Sequence, residues 1–162
     1  DFSVKERMIT ARRGETYDMG ELKVQALGSN DAGVSFLVHY GGKTIFHAGD
    51  LNDWSWYVRK GEMHDEAYRR RMREEFRKEL EPLLGVHMDA AFVVMDMRLE
   101  ERYKNGIDYF LHTMDADAVF PMHLWGRYDL IPQYKKKLIL AGEPELAKKV
   151  MDIREENQIF EL

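Results

Sequence analysis

Two apolar runs limit what this chain can become. Asp89 to Met95 reads Asp-Ala-Ala-Phe-Val-Val-Met, and Ala116 to Met122 is a second buried run. A strand that is apolar on both faces needs cover on both, which is the habit of parallel sheets flanked by helices. The stretch between them supplies a helix. Ile107, Phe110, Leu111 and Met114 recur at helical spacing over Lys104 to Met114. Two further helices are expected after the second strand, over Tyr128 to Ala141 and Pro144 to Val150, with Ile153 to Phe160 adding a last edge strand. Strand, helix, strand, helix in this order makes the second half an α/β layer.

The first fifty residues follow a different period. Residues 1–13 are mixed and basic, with Met8 and Ile9 the only apolar pair fit for a strand. Gly14 to Gly20 reads as a strand closed by a turn. Leu22, Val24 and Ala26 alternate along Glu21 to Leu27, the pattern of a half-buried strand. Gly28 to Gly33 is a loop by composition. Val34 to Tyr40 and Thr44 to Phe46 flank Gly41-Gly42, a hairpin signal. A run of antiparallel strands is expected here.

A long helix separates the halves, over Glu62 to Leu84. Tyr68, Met72, Phe76 and Leu80 form its apolar stripe, and Pro82 and Gly85 end it. Its arginines alternate with glutamates, which is a solvated face of mixed ion pairs. The net charge of −5 over 162 residues also argues against a nucleic-acid-binding surface. Hydrophobic residues make up 44% and charged residues 33%, which suits one globular domain over 1–162. No apolar run is long enough to span a membrane and no secretory signal opens the chain, so a cytoplasmic protein is expected. The first residue is Asp1 rather than Met, as in a fragment or a processed form.

Chemistry concentrates at strand ends. Lys43-Thr-Ile-Phe-His-Ala-Gly-Asp50 is a buried strand that turns tightly through Ala48 and Gly49 and delivers Asp50. Val119-Phe-Pro-Met-His123 repeats the pattern with an imidazole. Two strand ends that each offer a metal donor point to a metal site. With no cysteine in the chain, the ligands must be histidines and carboxylates. Asp96, past a third strand, either orients a ligand or Arg98, or caps a turn. His47 either supports Asp50 from behind or is a histidine hydrogen-bonded at a strand end. His39, His64, His87 and His112 read as structural or surface residues. The loop Leu51 to Gly61 carries Asn52, Trp54, Trp56 and Tyr57, whose aromatics either fold back as a lid over the local core or face a substrate.

Gly33-Val-Ser-Phe-Leu-Val38, then Gly41-Gly-Lys-Thr-Ile-Phe-His-Ala-Gly-Asp50, then Phe120-Pro-Met-His123 resembles the C-terminal half of the metallo-β-lactamase-fold hydrolases. The resemblance runs from about Gly14 to the end. It implies the C-terminal portion of an αββα sandwich, with two sheets face to face and helices outside. Carried over position by position, Asp50 resembles the carboxylate that binds or bridges a metal pair, which is also its catalytic role. His123 resembles the late histidine ligand. Ser29, with Asn30 and Asp31 beside it, lies near the place of a middle histidine ligand, and Asp31 and His47 are the further metal-ligand candidates. The earlier His-x-His-x-Asp-His cluster of that family is absent from this sequence. The implied cofactor is a divalent metal, zinc first, with iron or manganese as alternatives.

The resulting expectation is a metal-dependent hydrolase of a small-molecule substrate, inactive as this chain alone because two ligands do not complete a site. Asn52, Trp54, Trp56, Asp96, Arg98 and Trp125 are the candidate substrate contacts. The alternative is a non-catalytic binding or assembly module derived from the same fold. Both-faced apolar strands with helices enough for one face also lead to an expected partner, either a second copy of the chain or a separate N-terminal half.

Overall fold

The computed structural model describes residues 8–56 and 65–161. Six strands form one mixed sheet in the order of the sequence. They are β1 (Thr16–Met19), β2 (Leu22–Leu27), β3 (Ser35–Tyr40), β4 (Lys43–His47), β5 (His87–Val94) and β6 (Asp115–Met122). β1 to β4 are antiparallel neighbours, and β4, β5 and β6 are parallel. The chain is therefore α/β, with the antiparallel half and the parallel half joined edge to edge at β4–β5.

Local chemistry accounts for most element ends. Gly41 and Gly42 both take positive φ, 56° and 76°, as the two-residue hairpin between β3 and β4 requires. The first helix, α1 (Glu66–Leu80), starts where the Asp65 carboxylate accepts the Tyr68 backbone N–H at 2.9 Å. A 3-10 turn over Glu81–Leu83, containing Pro82, and Gly85 at φ 77° carry the chain from α1 into β5. The other helices are α2 (Asn105–Thr113), α3 (Leu130–Leu140) and α4 (Pro144–Lys149). The first turn expected of α1, residues 62–64, lies outside the described residues.

The four α-helices of the described residues bury side chains in one core. Met72, Phe76 and Leu80 of α1, Ile107, Phe110 and Leu111 of α2, Ile131, Tyr134 and Leu138 of α3, and Ala147 of α4 share a cluster with Leu37, Phe46, Ala91 and Val119 of the sheet. The Phe46 and Phe110 rings stack at 5.7 Å and 11° in its middle. The opposite sheet face is apolar as well. Register places Val24, Val38, Ile45, Ala90 and Ala118 in one row across it, and Ala26, Phe36, His47, Phe92 and Phe120 in the next.

The strands from Glu21 to Phe46 extend the same sheet as β5 and β6 and so lie beside their second face, not over it. One expectation changes here: residues 153–160 are no edge strand. After a single parallel bridge of Val150 to Val119 the segment crosses the second face, where Met151, Ile153 and Phe160 pack on Ala90, Phe92, Ala118 and Phe120. Burying apolar side chains on an open face outweighs pairing along one edge.

Phe46 is 1% exposed between sheet and helices. Phe46→Ala is expected to lower unfolding free energy by about 3–5 kcal/mol, the usual range for emptying an aromatic core site. Urea denaturation followed by far-UV circular dichroism measures it, and a loss below about 1 kcal/mol would place Phe46 outside the core that the stability depends on.

Candidate functional site

Because β4, β5 and β6 run parallel, their C-terminal ends share one rim. Asp50 follows β4, Asp96 follows β5, and His123 follows β6. The structure brings Asp50 and His123 into contact, with Asp50 Oδ1 3.1 Å from His123 Nε2. The other ring nitrogen, His123 Nδ1, faces Asp96 Oδ2 at 3.5 Å and has no hydrogen-bond partner among the described residues. The imidazole thus lies between two carboxylates, one half-exposed and one fully buried.

Turn geometry sets each side chain. Ala48 N–H donates to Phe92 O at 3.0 Å and continues the β4–β5 pairing by one residue. Gly49 then turns at φ 59°, pressed against the Val34 carbonyl. On the β6 side His123 and Trp125 both hold left-handed backbone, at φ 61° and 52°, with Gly126 following at 77°. Left-handed backbone in a bulky residue such as Trp costs on the order of 1–3 kcal/mol and persists only where the surroundings enforce it. Here Leu124 between them is buried, and its carbonyl accepts the Arg127 N–H at 2.8 Å. The strain turns His123 over the rim and leaves Trp125 65% exposed.

Asp96 is 0% exposed, a costly place for a carboxylate. Burial pushes its pKa up. Four hydrogen bonds from Arg98 outweigh that, one from the backbone N–H at 2.9 Å and three from the guanidinium, so the carboxyl is held below the usual carboxylate range. Trp125 Nε1 adds a longer contact at 3.4 Å. Both readings of Asp96 from the sequence hold at once, since it caps the turn and binds the Arg98 side chain. The guanidinium lies 4.9 Å from the Trp125 ring centre and 6.0 Å from that of Trp56, within cation–π range.

The remaining candidates divide by exposure. Trp54 is buried, donates its indole N–H to the Asp50 carbonyl at 2.8 Å, and sets its ring 6.4 Å from that of His123. Trp56 stacks on it at 5.9 Å. These two indoles fold back on the core beside the pair. Asn52 is 1% exposed and packs toward Gly106 of α2. Its neighbour Asn30 ties the two loops together, accepting the Asn52 N–H at 3.3 Å and donating to the Asn52 carbonyl at 2.9 Å. Asp31 is exposed in the loop before β3 and raises the Arg98 pKa only from a distance. His47 stacks on Phe92 of the second sheet face at 5.6 Å and accepts the Gly49 N–H through Nδ1 at 3.0 Å. Burial, then His123, lowers its pKa. Tyr57 and His64 lie outside the described residues. Beside His123 a cavity of about 450 Å³ is lined by Met122, Leu124, Trp125, Tyr128, Ile153 and Glu156.

A second donor group lies at the other end of the strands. His87, Asp89 and Asp117 place donor atoms within 4.8 Å of one another, the only such group of three among the described residues. It is already paired internally. Lys43 Nζ is 2.8 Å from Asp89, and His87 Nδ1 is 2.9 Å from Asp115, which raises the His87 pKa. The sequence carried a signal for it, because His87-x-Asp89 and Asp115-x-Asp117 are same-face positions on adjacent parallel strands in register.

A methyl group at Gly49 would sit 2.7 Å from the Val34 carbonyl oxygen, at a φ that side chains disfavour. Gly49→Ala is expected to destabilise the fold by about 1–3 kcal/mol. It should also shift the backbone amide resonances of Asp50 and His123 together. Unchanged stability and resonances would show that the turn is not held as described.

Compared with models of protein families, with curated proteins and with solved structures, the chain matches none of them.

Proposed function

We propose that the Asp50–His123 rim is half of a divalent-metal site, and that the chain is the C-terminal portion of a metallo-β-lactamase-like sandwich hydrolase acting on a small molecule. The observation that carries this reading is the 3.1 Å approach of Asp50 Oδ1 to His123 Nε2 at the ends of two parallel strands. Two ligands at about 2.0–2.2 Å from one zinc ion stand about 3–3.5 Å apart, so this oxygen and this nitrogen fit adjacent corners of a tetrahedron. An oxygen and an imidazole nitrogen suit zinc, iron or manganese. A metal held there would supply Lewis acidity and activation of water near neutral pH.

The chain's own residues do the rest. Asp50 carries the negative charge that attracts the cation. Trp54 fixes the Asp50 backbone from below. Arg98 balances Asp96 and presents a cation between two indoles at the rim, where a substrate's anionic or planar group would lie. Two donors are too few to close a site, so the chain alone is expected to bind metal weakly and to show little turnover.

Zinc titration by calorimetry tests this. In a His87→Gln background, which removes the second donor group, the chain is expected to bind one zinc ion. Asp50→Asn or His123→Gln should abolish that binding. Binding that neither substitution alters, or chelator-sensitive turnover by the chain alone, would overturn the half-site reading.

One observation favours a second reading, in which the rim is a relic and the sheet serves assembly. Val24, Phe36, Val38 and Ile45 on the second face are only half-buried, and the tail segment covers only the β5–β6 side. An apolar face of this kind expects a second copy of the chain or a separate N-terminal half. Light scattering on the pure chain is expected to report a dimer or larger species, and a monomer at high concentration would remove this support.

A further inference from the structure

His123 has two ring nitrogens, and the structure treats them differently. Nε2 meets the half-exposed Asp50 carboxylate at the rim. Nδ1 is buried without a hydrogen-bond partner among the described residues, and the group it faces is the Asp96 carboxylate, 3.5 Å away and fully excluded from solvent. A buried ring nitrogen opposite a carboxylate has one favourable state, the one in which it carries the proton. Its partner nitrogen is then free to bind a cation.

Asp96 is itself locked. Arg98 donates through its backbone N–H and through Nε at 2.9 Å each, and the Arg98 guanidinium grips both carboxylate oxygens. Trp125 Nε1 approaches the same Oδ2 that faces His123. Trp125 and His123 both hold strained left-handed backbone, so the turn after β6 places both of them on one carboxylate. A carboxylate that only balanced Arg98 would gain by moving to the surface, where such pairs form at less cost. This one stays at 0% exposure against an imidazole.

We propose that Asp96 is a positioning residue for the metal ligand: its clamped carboxylate holds the His123 ring with Nδ1 protonated and directs Nε2 to a divalent cation shared with Asp50. This rests on the metal-site reading above. It adds that Arg98 and Trp125 act on metal affinity without touching metal, through Asp96. Carboxylates behind ligating histidines commonly govern metal affinity by about 10- to 100-fold.

The test is zinc titration of the ¹⁵N-labelled chain, carrying His87→Gln, followed by long-range ¹H–¹⁵N correlation of the His123 ring. Zinc is expected to shift Nε2, with Nδ1 carrying a proton that resonates downfield. Asp96→Asn keeps the shape of the side chain and is expected to weaken zinc about 10- to 100-fold and move the Nδ1 proton upfield. Trp125→Phe, at an exposed position and therefore safe for folding, should weaken zinc less and move the same proton in the same direction. Zinc on Nδ1 of the unsubstituted ring would overturn the proposal. Zinc on Nε2 with affinity and Nδ1 proton unchanged in Asp96→Asn and in Trp125→Phe would also overturn it while leaving the metal site standing. No zinc response at His123 would overturn both readings.

Discussion

Parallel pairing of β4, β5 and β6 is the constraint on which the site depends. It sends three strand ends to one rim, and each end carries a polar side chain that the strand's apolar body would not tolerate further in. The pairing is enforced by two apolar faces at once. Phe46, Ala91 and Val119 meet the helices on one side, while Ile45, Phe92 and Phe120 meet the tail segment on the other. A strand buried on both faces has no register freedom, since slipping one residue would exchange the two sets. The positions of Asp50, Asp96 and His123 follow from that register to within the reach of a side chain.

Charge at the rim is managed unequally. Asp50 is partly solvated and costs little. Asp96 is not, and its cost is offset by a guanidinium two residues away that is itself flanked by indoles. The Arg98–Asp96 pair is local in sequence, so its geometry comes with the turn after β5 and needs no distant partner to form. His123 arrives from another strand and meets this prebuilt carboxylate. The strain at His123 and Trp125 is stored in the same turn that makes the meeting possible. By contrast, the donor group around His87 and Asp89 is exposed and satisfied by Lys43 and Asp115, which leaves it nothing to ask of a ligand.

Much of the fold was legible along the chain because the signals were local. Gly41-Gly42 specifies a hairpin wherever it occurs between strand patterns, and the four-residue stripe of α1 buries Met72, Phe76 and Leu80 as its spacing requires. The long apolar run of β5 announces cover on both faces, and the structure provides it. The segment 153–160 misled because an apolar alternation is equally good for pairing at an edge and for lying across a face. Only the presence of Phe92 and Phe120 on an open surface chose between them. Asn52 and Trp54 stayed open between two roles for a related reason. Composition alone does not say whether a loop folds back on the core or faces outward, and here both residues are buried.

The sequence by itself determined which residues could do chemistry: one acidic and one imidazole side chain at strand ends, in a chain without cysteine. It also determined the alternation of strand and helix, because periodicity is a property of neighbours three or four residues apart. Only the tertiary structure decided that Asp50 and His123, more than seventy residues apart in the chain, meet at 3.1 Å, and that Asp96 stands behind the ring rather than beside it. Those facts depend on parallel register and on two left-handed turns. Both are set by the packing of the whole sheet, which no local stretch of sequence encodes.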